Sequence, residues 1–240
     1  MLRIALLALA LLAGCSHQDW RTADRSSMGL APLPEVEREA VVQVYAARAV
    51  RWRGYFAVHC WIATKEKDAD HYETYHVMGF RIEQTGSAVR VGEDVPDRRW
   101  FGAAPDLIAS LVGEKAALAI PKIRDAAKSY PYQASYRAWP GPNSNTFVSY
   151  ILRRVPEIGI ELPPHAIGKD WIDDADLAGW SESGTGVQLS LLGILGLTLG
   201  LAEGVEVNVL GLSFGLDVWR PALKLPFVGR LGFRDAAVFD

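Results

Sequence analysis

Only two cysteines, Cys15 and Cys60, occur in the 240 residues, which excludes a disulfide-stapled scaffold and a thiolate metal cluster. Charge of one sign is also lacking. The net charge of −3 supplies no basic field for a phosphate backbone, so no nucleic-acid partner is expected. No fixed-period repeat is present, which excludes solenoids and propellers. What is there is half hydrophobic and 22% charged, the balance of a folded chain long enough to bury a sizeable core.

Met1-Leu2-Arg3 makes a short positive start, and Ile4 to Ala13 is an unbroken apolar run closed by Leu12-Ala13-Gly14-Cys15. Such a run is too short to span a bilayer comfortably and matches the centre of a secretory signal. The stretch resembles a bacterial lipoprotein signal with its lipobox. That resemblance implies cleavage after residue 14 and acyl chains, palmitate among them, on Cys15. Each buried methylene then contributes about 0.8 kcal/mol to membrane attachment. Ser16, rather than Asp, implies the periplasmic side of the outer membrane if the envelope is Gram-negative. The expected organisation is a signal over 1–14, a flexible spacer over 15–36 and one domain over 37–240.

The mature chain reads as α+β. Val41 to Val50, Tyr55 to Thr64, His71 to Gln84 and Ala88 to Val91 read as strands of an antiparallel meander, with a tight turn at Thr85-Gly86-Ser87. Pro105 can open a helix carrying Leu107, Ile108, Leu111 and Val112 on one face. Glu114 to Ser129 reads as a second helix, kinked or broken at Pro121. Asn143 or Ser144 is a natural cap for a third, in which Phe147, Ile151, Leu152 and Val155 recur before Pro156 stops it. Farther on, Val187 to Leu201 and Val205 to Val218 flank the turn Ala202-Glu203-Gly204 and read as one long C-terminal β-hairpin packed on the domain, with a membrane-touching hairpin as the minority reading.

The start of the third helix is where chemistry is expected. Backbone N–H groups and the helix dipole stabilise developing negative charge there, so Ser144 is a candidate nucleophile. It needs a base within hydrogen-bond reach. His59 sits mid-strand in an apolar run and His76 on the next strand, where the two imidazoles can be cross-strand neighbours. His71 and His165 lie in loop-like surroundings. The plain alternatives are that Ser144 only caps a helix and that His59 is a satisfied core histidine. Cys60 points away from His59 and reads as a buried small hydrophobe. No metal site and no cofactor are expected.

His59-Cys60-Trp61-Ile62, a later strand histidine and Asn143-Ser144-Asn145-Thr146-Phe147 resemble the circularly permuted papain-like domains of the NlpC-type and lecithin:retinol-acyltransferase-like group. The stretch Trp139 to Phe147 also resembles a bacterial domain family of unknown function. In the permuted group the histidine comes first and a cysteine nucleophile follows on a helix; here Ser144 stands at that position. The resemblance implies one of two things. Ser144, His59 and His76 run an amide or ester hydrolysis or acyl transfer on a peptidoglycan or lipid substrate, with Asn143, Asn145 and Trp139 in the binding cleft. Otherwise a retired site binds an envelope ligand without chemistry.

Overall fold

In the computed structural model, which describes residues 21–173 and 176–233, the β-branched run after residue 40 forms an inner strand of a five-stranded antiparallel sheet. Its strands are β1 (Val41–Arg48), β2 (Val58–Lys65), β3 (Glu73–Val77), β4 (Val89–Glu93) and β5 (Pro105–Val112), in the order β4-β3-β2-β1-β5. Cys15 and the apolar run before it lie outside the described residues. Three helices follow the expected pattern in part: α1 (Ile82–Thr85), α2 (Glu114–Ser129) and α3 (Ser144–Arg154). Helix α2 passes through Pro121 without a break.

Alternation along β2 assigns its two faces. Cys60 and Ile62 join Val44, Tyr75 and Val77 against Ile120, Ile123, Phe147 and Ile151 of α2 and α3. His59 and Trp61 point the other way, where Tyr45, Ala63 and Trp100 form a second apolar cluster. Part of the stretch expected as a spacer closes that side: Asp97 accepts the N–H groups of Leu30 and Ala31, and Ser27 bridges to Arg98.

Two expected elements change type. Pro105–Val112 is strand β5, not a helix. Its pairing with β1 slips between Val44 opposite Ala109 and Tyr45 opposite Leu107, leaving Ile108 in a bulge. A bulge shifts the two-residue alternation by one, which is why its apolar spacing imitates a helix. The strand expected over His71 to Gln84 ends at Val77 and gives way to helical turns, closed by Gly86 in the left-handed region at φ 76°. A Cβ on Gly79 would lie 2.5 Å from the Tyr136 ring, so the chain leaves the sheet where this ring packs on it.

The expected C-terminal hairpin is instead a seven-stranded antiparallel meander. It comprises β6 (Ala178–Trp180), β7 (Gly186–Leu191), β8 (Leu195–Gly200), β9 (Gly204–Val209), β10 (Leu212–Asp217), β11 (Ala222–Leu225) and β12 (Gly229–Gly232). Leu192-Gly193 and Leu210-Gly211 each place two residues in a row at positive φ, the geometry of tight hairpin turns. Each apolar run therefore folds back on itself. The turn at residues 202–204 stands where expected, between β8 and β9.

Candidate functional site

The β2–β3 ladder stops at Ile62 opposite Tyr75, and the first turn of α3 fills the gap that β3 leaves. Asn145 takes the place of a strand there. Its Oδ1 accepts the Cys60 N–H at 3.1 Å, and its amide donates to the carbonyls of Val58 at 3.0 Å and Ile167 at 2.8 Å. Asn143 is the N-cap: its Oδ1 accepts the N–H groups of Asn145 and Thr146, while the Thr146 hydroxyl accepts the Asn143 N–H. The Asn143 amide donates to the carbonyls of Ala138 and Ile167. Gly168, at φ 98°, permits this approach, because a Cβ there would lie 2.5 Å from Asn143 Nδ2.

Three of the four polar side chains in Asn143-Ser144-Asn145-Thr146 are thus consumed by the fold. Ser144 is not. Its hydroxyl makes only a 3.5 Å donation to Asn145 Oδ1. Asn145→Ala should therefore cost about 3 kcal/mol, since it strands buried backbone groups, whereas Ser144→Ala should stay within about 1 kcal/mol. Urea denaturation of the two variants measures the difference.

The two imidazoles meet as their strands suggest, with His59 Nε2 3.2 Å from His76 Nδ1. The His59 ring lies flat on Trp100, with centroids 3.6 Å apart and planes 3° from parallel. Burial pushes His59 down to about 3, helped by the nearby Arg98 cation. His76 is held well below the ordinary imidazole range by burial first, then by His59, Arg98 and Arg90. Both rings are therefore neutral at pH 7.

A cavity of about 620 Å³ opens over this end of the sheet. Ser144, His59, Asn143 and Asn145 form its polar floor; Met78, Trp100, Phe101 and Tyr136 its apolar walls; exposed Arg51 and Arg53 stand at its mouth. Ser144 and His59 share the cavity at 4% and 5% exposure, yet no hydrogen bond joins them.

Trp139 is not a wall of this cavity. Its indole donates to the Leu210 carbonyl at 2.9 Å and ties the approach to α3 onto the second sheet. His71 sits exposed on Asp70, away from the site. Cys60 faces the helix side, and burial raises its thiol well above the ordinary range. Among the described residues, no three His, Cys, Asp or Glu side chains are grouped to hold a metal ion. Trp100, Ile167 and Gly168 are the site residues that sequence reasoning missed, for they lie in irregular chain and touch the site only through tertiary packing.

Residues 39–171 match a protein family of unknown function, DUF3750. The chain belongs to that family. No curated protein and no solved structure matches it. The DUF3750 segment contains every residue lining the cavity and ends before β6, so the second sheet lies outside it.

Proposed function

We propose that this DUF3750 protein is a cell-envelope lipoprotein, anchored through Cys15, whose cavity binds an acylated envelope ligand without turning it over. The observation that carries binding over catalysis is the state of His59. A general base works best with a pKa near the working pH, and an imidazole pushed down to about 3 is a feeble proton acceptor. The group that meets its ring nitrogen is the neutral imidazole of His76 rather than a carboxylate, and among the described residues the far nitrogen of His76 has no hydrogen-bond partner, so nothing there stabilises an imidazolium. A hydroxyl, unlike a thiol, needs such a base. On this reading the site resembles a circularly permuted papain-like one, of NlpC type, that has lost its chemistry. Cavity size and apolar walls suit one hydrocarbon chain, and Arg51 and Arg53, which outnumber the one lining acid, Glu83, suit an anionic head group.

The second reading is the hydrolase or acyltransferase, with Ser144 as nucleophile, His59 as base and His76 orienting it. It is favoured by the spare Ser144 hydroxyl at the start of α3. One pair of experiments decides. Ala57 is half-buried on the cavity wall, so Ala57→Trp fills the cavity at small cost to folding. It should weaken binding of a fluorescent acyl lysophospholipid at least tenfold, and unchanged affinity sinks the binding proposal. A fluorophosphonate should leave the folded protein unlabelled. Labelling that is lost in Ser144→Ala but kept in the exposed Ser26→Ala establishes the enzyme instead.

A further inference from the structure

The second sheet is built inside out. Along β7 to β11 the side chains turned inward include Gln188, Thr198, Glu206, Asn208, Ser213 and Lys224, all buried. Those turned outward are aliphatic or aromatic: Leu189, Leu197, Val207, Phe214, Leu216 and Leu223 are each between 37% and 54% exposed. A sheet wetted on one face carries polar residues on that face. Here five consecutive strands reverse the rule, and no charged residue interrupts the outward rows. Exposed apolar patches of this extent mark contact with a membrane or a partner.

We infer that the outward face of the second sheet docks on the hydrocarbon of one phospholipid leaflet. Two further observations favour a leaflet over a second copy of the chain. First, the apolar surface does not stop at the sheet. Phe227, in the β11–β12 turn, packs edge-on against Phe56 at 5.9 Å, and exposed Trp52, Tyr55 and Phe80 carry the patch on around the cavity mouth. The surface is continuous with the mouth of the site. Second, the chain between Cys15 and Arg21 reaches at most about 20 Å when fully extended. The described chain then runs to Arg25, whose guanidinium lies 4.8 Å from the ring centroid of Phe101, a cavity wall. A lipidated Cys15 therefore keeps this side of the molecule near the bilayer. That second argument rests on the anchor proposed above; the first does not.

Length decides how the sheet lies. Strands of six residues span about 20 Å, against the 9–11 residues a membrane-crossing strand needs. Among the described residues the sheet is also open, with β6 and β12 each paired on one side only. Unpaired backbone edges are not tolerated deep in hydrocarbon. The sheet lies flat on a leaflet and does not cross it.

The experiment separates docking from tethering. Leu197→Cys, Val207→Cys and, at an exposed position of α2, Asp125→Cys are each labelled with an environment-sensitive fluorophore in the full chain. The protein is reconstituted into phosphatidylethanolamine–phosphatidylglycerol vesicles containing acyl-brominated lipid. Docking gives blue-shifted, bromine-quenched emission at 197 and 207 and water-like emission at 125. If all three labels report water on protein that floats with the vesicles, the chain is tethered but undocked and the inference is overturned. A blue shift at 197 and 207 that bromine leaves unquenched assigns the face to a second copy, which also overturns it. Leu197→Glu with Val207→Glu puts polar groups on an outward face and preserves the inward one. This pair should remove the quenching at a label on Leu189→Cys while near-ultraviolet circular dichroism stays unchanged.

Discussion

Lowering the pH from 6.5 to 4 should strip about 3 kcal/mol of folding stability through His59 alone, with His76 adding loss in the same direction. In the unfolded chain an imidazole takes a proton near 6.5, whereas folded His59 resists protonation until about 3. The unfolded state binds more protons throughout that window. The stabilisation is therefore complete above 6.5 and drains away as the pH falls towards 3. A domain of this size holds only about 5–15 kcal/mol in reserve, so the urea midpoint should shift visibly by pH 5. Proton NMR of the imidazole C–H groups offers an independent check. His59 and His76 should keep neutral shifts at pH 5, while His71, raised by its hydrogen bond to Asp70, should titrate above 6.5. A His59 that titrates near 7 in the folded protein contradicts the buried, neutral pair. It would also restore a competent base beside Ser144 and with it the enzymatic reading.

How far the sequence foretold this site depends on which kind of signal each residue sends. The α3 start was legible: Asn143 caps, the apolar residues from Phe147 recur at helical spacing, and both are local facts. The meeting of His59 with His76 was legible too, because they lie on neighbouring antiparallel strands with side chains on one face, although the β2–β3 ladder itself ends before both of them. Trp100 was not, since nothing in the chain around it predicts that it stacks on the His59 ring, 41 positions earlier. Helix-like spacing misled at Pro105–Val112 because one bulged residue, Ile108, resets the alternation, and only the partner strand reveals a bulge. The second sheet failed differently. Alternation in Val205 to Leu210 correctly signalled a strand, but alternation is silent about which face is inward. A reader assumes that apolar residues go in; here Glu206 and Asn208 go in and Val207 goes out.

Replacing Glu206 should be among the most damaging single changes in the molecule, while the change beside it should cost almost nothing. Burial raises the Glu206 carboxyl, but the ammonium groups of Lys169 at 2.9 Å and Lys224 at 3.3 Å pull it below its usual range. Lys169 also contacts Asp170 at 3.3 Å, and Lys224 is paired with Glu161. All of these charges lie beneath the sheet, where each alone is costly and the set is tolerable because it is mutually compensated. Glu206→Gln keeps the shape and removes the charge that both lysines share. It breaks two buried ion pairs at once and leaves Lys169 with Asp170 and Lys224 with Glu161 as their remaining carboxylates, with an expected loss of about 3–5 kcal/mol. Val207 is the next residue and faces outward, so Val207→Glu in detergent should move stability by less than about 1 kcal/mol. Thermal unfolding of the two variants side by side measures the contrast. A severe loss at 207 with a mild one at 206 would mean that the sheet's faces are the other way round, and the case for a lipid-facing surface would fall with it.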